Sequence, residues 1–297
     1  MKQIGLIGLG DMGMGLAKNI LKHGYELTGY DVRQDRLTRL VQVGGKAAPD
    51  CEGVGAQVEA VFVMVLNGDQ VKEVLLGPKG LLTTLKPGST VLVSATIHPS
   101  EVRALESPLA AREINLIDTP VSGGRMGAEN GTLTMMVGAQ KTVFEQCKPL
   151  LEAVGQKIYH VGEAIGMGQT VKASLQAYQG ACYTSLFEAL VLGVKAGVKP
   201  EILNEVFNAS VVGSGLTKNT IPLIMERRFK GAGSHMGTLY KDVSISMALG
   251  KEVGAALFTA STAFELLRAG MSLFPGEDNW SLVKLFEQIA GTEVKQQ

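Results

Sequence analysis

Residues 3–31 constrain this chain more than any other stretch. Gln3-Ile4-Gly5-Leu6-Ile7 reads as a short buried strand, Gly8-Leu9-Gly10-Asp11-Met12-Gly13 follows directly, and Met14–Lys22 is an amphipathic run. After His23-Gly24 a second strand, Tyr25–Tyr30, ends on Asp31. This is the order of a dinucleotide-binding βαβ unit. Gly8 allows the tight turn out of the strand, Gly10 lets the backbone approach a pyrophosphate, and Gly13 lets helix and strand pack closely. The helix N-terminus offers free N–H groups and a positive dipole end to phosphate, so the whole loop, Leu9, Asp11 and Met12 included, is a candidate cofactor-binding segment. Asp31 stands where a carboxylate can accept from ribose hydroxyls, or where it only caps a turn. An acid there repels a 2′-phosphate and favours NAD, whereas Arg33, two residues on, is the kind of neighbour that admits NADP.

The rest of the composition narrows the class. A chain of 297 residues accommodates two domains of ordinary size. Lys plus Arg and Asp plus Glu each number 28, and this zero formal charge argues against nucleic acid as the main partner. Cys51, Cys147 and Cys182 have no CxxC spacing and read as reduced thiols of a cytoplasmic protein. No signal-peptide pattern precedes the first strand. Ala173–Phe187 carries no charge, but Ser174, Gln176, Gln179, Thr184 and Ser185 make it too polar for a bilayer span, so a buried helix is expected and no membrane partner. The four histidines have no metal-ligand spacing, and no metal is implied.

Strand-like runs continue at Ala60–Leu66, Thr90–Val93, Asn115–Asp118, Thr132–Val137 and Ile158–Val161, with helical patterns at Arg33–Val43, Gln70–Leu75 and Ser100–Arg112 between them. Such alternation predicts a doubly wound α/β sheet. Ligands in such sheets bind beyond the carboxyl ends of the strands, which brings in Leu66, Asn67, Thr96 and the segment after Pro120. After Gly162 helical periodicity takes over. A long apolar helix is expected over about 168–196, stopped by Gly197, followed by Glu201–Ser210, Lys241–Lys251, Leu257–Ala269 and Trp280–Gln288, with Pro222, Pro275 and the glycines of 231–237 as punctuation. The expected organisation is a nucleotide-binding domain over 1–162 and an all-helical domain over 163–297.

Three further motifs carry chemistry. Asp118-Thr-Pro-Val-Ser-Gly-Gly124 ends a strand, and the glycines after Ser122 expose backbone N–H groups that either bind a carboxylate or form an ordinary turn. Gly166-x-Gly168-x-x-x-Lys172 puts an amine one turn into an apolar helix. Burial there would lower its pKa toward that of a general base, unless the side chain snorkels to water. Gln176 follows four residues later on the same helix face. Lys241-Asp242 reads by itself as a solvated pair, and Arg125 as a solvated loop residue or a second anion contact.

With the N-terminal fingerprint, these motifs resemble the β-hydroxyacid dehydrogenase family, which includes 3-hydroxyisobutyrate dehydrogenases. The likeness covers essentially the whole chain. Within the family, Met12-Gly-Met-Gly15, Val93-Ser-Ala-Thr-Ile97 and Ile165–Lys172 look most like the threonate dehydrogenase branch. The resemblance implies a Rossmann-type domain followed by a helical substrate and oligomerisation domain, in a cytoplasmic homodimer or homotetramer. It implies a nicotinamide-dependent oxidoreductase acting on a small 3-hydroxy acid. The substrate would be a threonate-like sugar acid, or alternatively 3-hydroxyisobutyrate or a tartronate- or succinic-semialdehyde-type aldehyde, with a non-catalytic cofactor-binding protein as the remote alternative. By the same resemblance Lys172 is the catalytic lysine, and Ser122, Gly123, Gly124 and Gln176 bind substrate. Leu66, Asn67 and Thr96 line the cofactor, and Lys241, oriented by Asp242, approaches the nicotinamide end across the domain cleft. The chain departs from commoner members in having Leu175 and Gln176 where they carry two asparagines. Threonate-type members also have Gln at the second position.

Overall fold

The computed structural model describes residues 1–296 and divides into two compact units, Met1–Lys172 and Ala173–Gln297. The first is built on one sheet. Strands β1 (Gln3–Ile7), β2 (Glu26–Tyr30), β3 (Lys46–Ala47), β4 (Ala60–Val63), β5 (Thr90–Val93) and β6 (Asn115–Asp118) are parallel in the order β3-β2-β1-β4-β5-β6. The order reverses between β1 and β4, and that is where such sheets open a crevice for a dinucleotide. Three more strands extend the β6 edge. Strand β8 (Leu133–Gly138) runs antiparallel to β6 and to the short β7 (Val121–Ser122), and parallel to β9 (Gly155–Gly162).

Helices cover both faces. They are α1 (Asp11–Lys22), α2 (Gln34–Gln42), α3 (Cys51–Gly55), α4 (Gly68–Leu76), α5 (Pro99–Arg103), α6 (Glu106–Ala110), α7 (Gly124–Asn130) and α8 (Lys141–Val154). The two-residue period of the strands sorts their side chains. Leu6, Phe62, Leu92 and Ile117 join Leu16 and Ile20 of α1 and Leu150 and Leu151 of α8 in one apolar layer. Ile7, Val61, Val63, Val91 and Val93 join Val54, Val71, Leu75 and Val102 in the other. Both faces are covered, so β4 and β5 are buried along their whole length.

The boundary between the units falls within α9 (Met167–Lys195), which Gly197, at φ 94°, follows. The second unit continues with α10 (Pro200–Ala209), α11 (Gly215–Met225), α12 (Met236–Val253), α13 (Phe258–Leu273) and α14 (Val283–Ala290). Its core gathers Phe187, Leu190, Ile221, Ile224, Leu239, Val243, Leu267 and Trp280. Among the described residues no helix is long and apolar enough to cross a membrane.

Several sequence expectations need correction. The run Ala60–Leu66 is strand only to Val63, after which the chain turns toward α4. Ser100–Arg112 is not one helix but α5 and α6, separated at Ala104-Leu105. Pro222 does not punctuate: it lies inside α11, which the Ser214–Thr217 capping box starts. Gly237 belongs to α12, which begins at Met236, so Lys241 sits in that helix's second turn and not at its start. The last helix opens with a tight turn, Asn279–Leu282, before α14.

Candidate active site

The glycine loop fits a dinucleotide phosphate. Gly8 has φ 90°, and a Cβ on it would lie 2.3 Å from the Met64 carbonyl oxygen. A Cβ on Gly13 would lie 1.9 Å from the Gly8 oxygen, so neither position admits a side chain. Gly10 caps α1 without any side-chain bond. A Cβ there would meet nothing nearer than the Arg36 guanidinium at 3.8 Å. Asp11 is exposed and Met12 half-buried in that first turn. The side chain of Leu9 is fully buried in the core, so only its backbone faces the loop.

Asp31 is 5% exposed at the end of β2 and is already engaged. Its Oδ2 accepts from the Leu9 N–H at 2.7 Å, its Oδ1 from the Arg33 N–H at 2.9 Å, and Arg36 Nη1 pairs with it at 3.1 Å. The Arg33 side chain instead reaches Asp35 at 3.0 Å in solvent. The guanidinium beside both Gly10 and Asp31 is therefore that of Arg36. Sequence reading missed it because proximity to Asp31 along the chain favoured Arg33, while the start of α2 turns Arg36 back toward the loop.

The strand ends beyond β4 and β5 are held by side chains. Asn67 caps α4, accepting from the Gln70 N–H at 3.0 Å, while the exposed Leu66 donates its N–H to Gln70 Oε1 at 2.9 Å. Asn67 thus has a structural task in the fold. Thr96 is half-exposed between Ala95 and Ile97. The buried Gln169 side chain grips both neighbours, donating to the Ala95 oxygen at 2.9 Å and accepting from the Ile97 N–H at 3.1 Å. Asp118, fully buried at the end of β6, accepts from the Gly166 and Gln169 N–H groups, each at 3.0 Å. It serves as a distant cap for the first turn of α9. Burial raises its carboxyl to about 6, against the lowering effect of the bonds from Gln169 and its neighbours. Gly168 is required at this contact, since its Cβ would lie 2.4 Å from the Met136 oxygen. These ties fix the turn that carries Lys172, which is 6% exposed. Neither Gln169 nor the capping role of Asp118 was apparent in the sequence; the long separation from Asp118 to Gly166 hides it.

Ser122 ends β7, paired with Thr134, and is half-buried. Gly123 at φ 135° and Gly124 at φ 60° turn the exposed backbone into α7, in a conformation that L side chains rarely adopt. The far end of α7 rests on the nucleotide-loop helix. Asn19 Nδ2 of α1 donates to the Ala128 oxygen at 2.8 Å, and a Cβ on Gly15 would strike Ala128 at 2.5 Å. Arg125 pairs with Glu129 at 2.9 Å on the exposed side of α7.

In the second unit, Gln176, Lys241 and Asp242 form one network. Gln176 Nε2 donates to Asp242 Oδ2 at 2.6 Å, and Lys241 Nζ lies 2.8 Å from Asp242 Oδ1. Lys241-Asp242 is thus no solvated surface pair, because Asp242 is buried. Ser246 Oγ donates to the Ala173 oxygen at 2.7 Å, one turn further along α12. Gly180 allows the approach, its Cβ position lying 3.0 Å from Val243 Cγ2.

Comparison with known proteins agrees with this geometry. Residues 3–162 match the family model for the NAD-binding domain of 6-phosphogluconate dehydrogenase. Residues 166–286 match that for the NAD-binding domain of NADP-dependent 3-hydroxyisobutyrate dehydrogenase. The chain is 36% identical over 294 residues to 2-(hydroxymethyl)glutarate dehydrogenase of Eubacterium barkeri, covering 98% of this chain and 97% of that protein. It is 31% identical over 288 residues to L-threonate dehydrogenase of Escherichia coli, covering 96% and 95%. The crystal structure of 3-hydroxyisobutyrate dehydrogenase from Salmonella typhimurium superposes with a TM-score of 0.88 at 29% identity, over 96% of this chain and all of that one. From the glycine loop, the engaged strand-end acid, the buried lysine and these matches, the chain belongs to the β-hydroxyacid dehydrogenase family of nicotinamide-dependent oxidoreductases.

Proposed function

We propose that this protein oxidises a small 3-hydroxy acid, or reduces the matching aldehyde or ketone, with Lys172 as general base and acid. The observation that carries the reading is Lys172 itself: a buried amine in the α9 turn that Asp118 and Gln169 tie to the ends of β6 and β5. Fixed in this way, neutral Lys172 takes the hydroxyl proton, and in reverse its ammonium returns a proton to the carbonyl oxygen. Ser122 and the N–H groups of Gly123 and Gly124 hold the substrate carboxylate. Gln176, one turn beyond Lys172 on α9, contacts a substrate oxygen. A bound nicotinamide would supply the hydride acceptor or donor for this reaction. Gly8, Gly10 and Gly13 admit the pyrophosphate, and Asp31 sets a preference for NAD over NADP by its charge. Leu66, Asn67, Thr96, Lys241 and Asp242 complete the cofactor contacts.

We divide the chain functionally at 162/163. A homodimer or homotetramer is supported by exposed Leu192, Val206, Val211 and Phe258 on the helical unit. Three free thiols, Cys51 and Cys147 buried among them, suit a reducing cytoplasm. The test is NADH formation with threonate, erythronate, 3-hydroxyisobutyrate, glycerate and 2-(hydroxymethyl)glutarate. Turnover of at least one, lost on replacing Lys172, is expected; no turnover of any with either NAD or NADP overturns the reading.

A further inference from the structure

The sense in which the Gln176 amide points is fixed by its neighbour. A carboxylate only accepts hydrogen bonds, so the amide nitrogen, not the oxygen, must face Asp242, as the 2.6 Å contact shows. Lys241 holds Asp242 from its other oxygen at 2.8 Å. The consequence is at the opposite end of the amide. Gln176 is 5% exposed, and its Oε1 is buried without a hydrogen-bond partner. A buried carbonyl oxygen left unmatched carries a desolvation cost until something donates to it. Gln176 lies on the α9 face that carries Lys172, one turn after it.

We infer that Asp242 is a positioning residue that makes Gln176 present an acceptor, so that the site selects hydroxy acids carrying a second hydrogen-bond donor, a hydroxyl or an ammonium, over those with an alkyl group in its place. This rests on the proposed function above. It reaches beyond it in assigning the polarity of the contact and the residue that sets it. The reacting hydroxyl does not fill the role, because its proton goes to Lys172. A methyl group against Oε1 leaves the acceptor unpaired, and sites built around a substrate hydrogen bond reject analogues that lack it.

Three acids of nearly equal size separate the possibilities: 3-hydroxyisobutyrate, glycerate and serine, whose second carbon bears methyl, hydroxyl and ammonium respectively. The native enzyme should favour glycerate or serine over 3-hydroxyisobutyrate in kcat/KM by about tenfold or more. Gln176→Met keeps the length and removes the acceptor, and should erase that ratio. Asp242→Asn can meet the amide in either sense, and should reduce the ratio less. Unfolding midpoints and far-ultraviolet circular dichroism show whether each variant is folded. Binding of the three acids to the NADH-loaded enzyme, followed by nucleotide fluorescence, gives the same ratio even where no acid is turned over, so failure of the proposed reaction and failure of this inference are told apart. A native preference for 3-hydroxyisobutyrate overturns the inference. So does an equal loss on all three acids in Gln176→Met, which would place Oε1 in the service of Lys172. An unchanged ratio in Asp242→Asn removes Asp242 from the positioning role.

Discussion

The candidate sites of the two units are built from opposite materials. In the first, the nucleotide loop works through absence: Gly8 and Gly13 have no room for a Cβ, and the α1 terminus has no side-chain cap. In the second, Gln176, Asp242 and Lys241 are three polar side chains joined in a chain of contacts between two helices. A site made of bare backbone recognises what every dinucleotide shares, and almost any substitution destroys it. A site made of side chains can change its preference by one residue while the helices stay packed. The first unit should therefore be brittle to substitution and the second adjustable.

The largest break in this comparison should come from Gly13→Ala. Its Cβ would stand 1.9 Å from the Gly8 oxygen, a backbone atom that cannot step aside. A destabilisation of about 4 kcal/mol, with NADH binding lost, is expected. Calorimetry and fluorescence titration check it, and a variant that binds normally would mean that the loop opens in solution. Next, Lys172→Ala should lower kcat by at least about 100-fold with NADH affinity kept. Near-normal turnover would assign the base elsewhere.

A smaller effect attaches to Asp118. Its folded-state carboxyl, at about 6, lies above its ordinary value of 3.8, so the native state binds the proton more tightly than the unfolded chain. The stability from that proton is complete below about pH 4 and is lost as pH rises toward 6 and beyond. Asp118→Asn should flatten the pH 4–7 stability profile by on the order of 2 kcal/mol, as measured by denaturant unfolding across that range. An unchanged slope would mean that the buried carboxyl does not titrate there. Smallest is Asp31→Asn, expected to narrow the NAD-to-NADP ratio of kcat/KM by about tenfold or less, because Arg36 already neutralises part of the charge. No change in the ratio would shift the determinant to Arg36.

What was legible in the sequence follows from range. The fingerprint, the five longer parallel strands β1, β2, β4, β5 and β6, and α9 rest on local periodicity, and local periodicity is written in consecutive residues. The short elements β3, β7 and α7 are too brief to carry a period, and pairing or packing against other segments decides them. Pro222 inside α11 shows tertiary packing overriding a breaker, with Ile221 and Ile224 buried on either side. Among the candidate site residues, the tight glycine turns followed from motif spacing, and the buried position of Lys172 from its place in an apolar helix. Arg36, Gln169 and the Asp118 cap were not, because each acts on a partner that the fold brings near. Gln169 bridges to residues 95 and 97, and Asp118 to residues 166 and 169.

The bond from the Leu9 N–H to Asp31 bears on the cost of ordering a ligand site. A glycine-rich loop is the most entropic kind of backbone, and freezing one during association would subtract from affinity. Here the acid at the end of β2 holds the loop's second residue, and Arg36 holds the acid, so the loop's conformation is set before any nucleotide arrives. Less of the backbone ordering cost is then left to association. The loop's conformation belongs to β2 and α2 as much as to the glycines themselves.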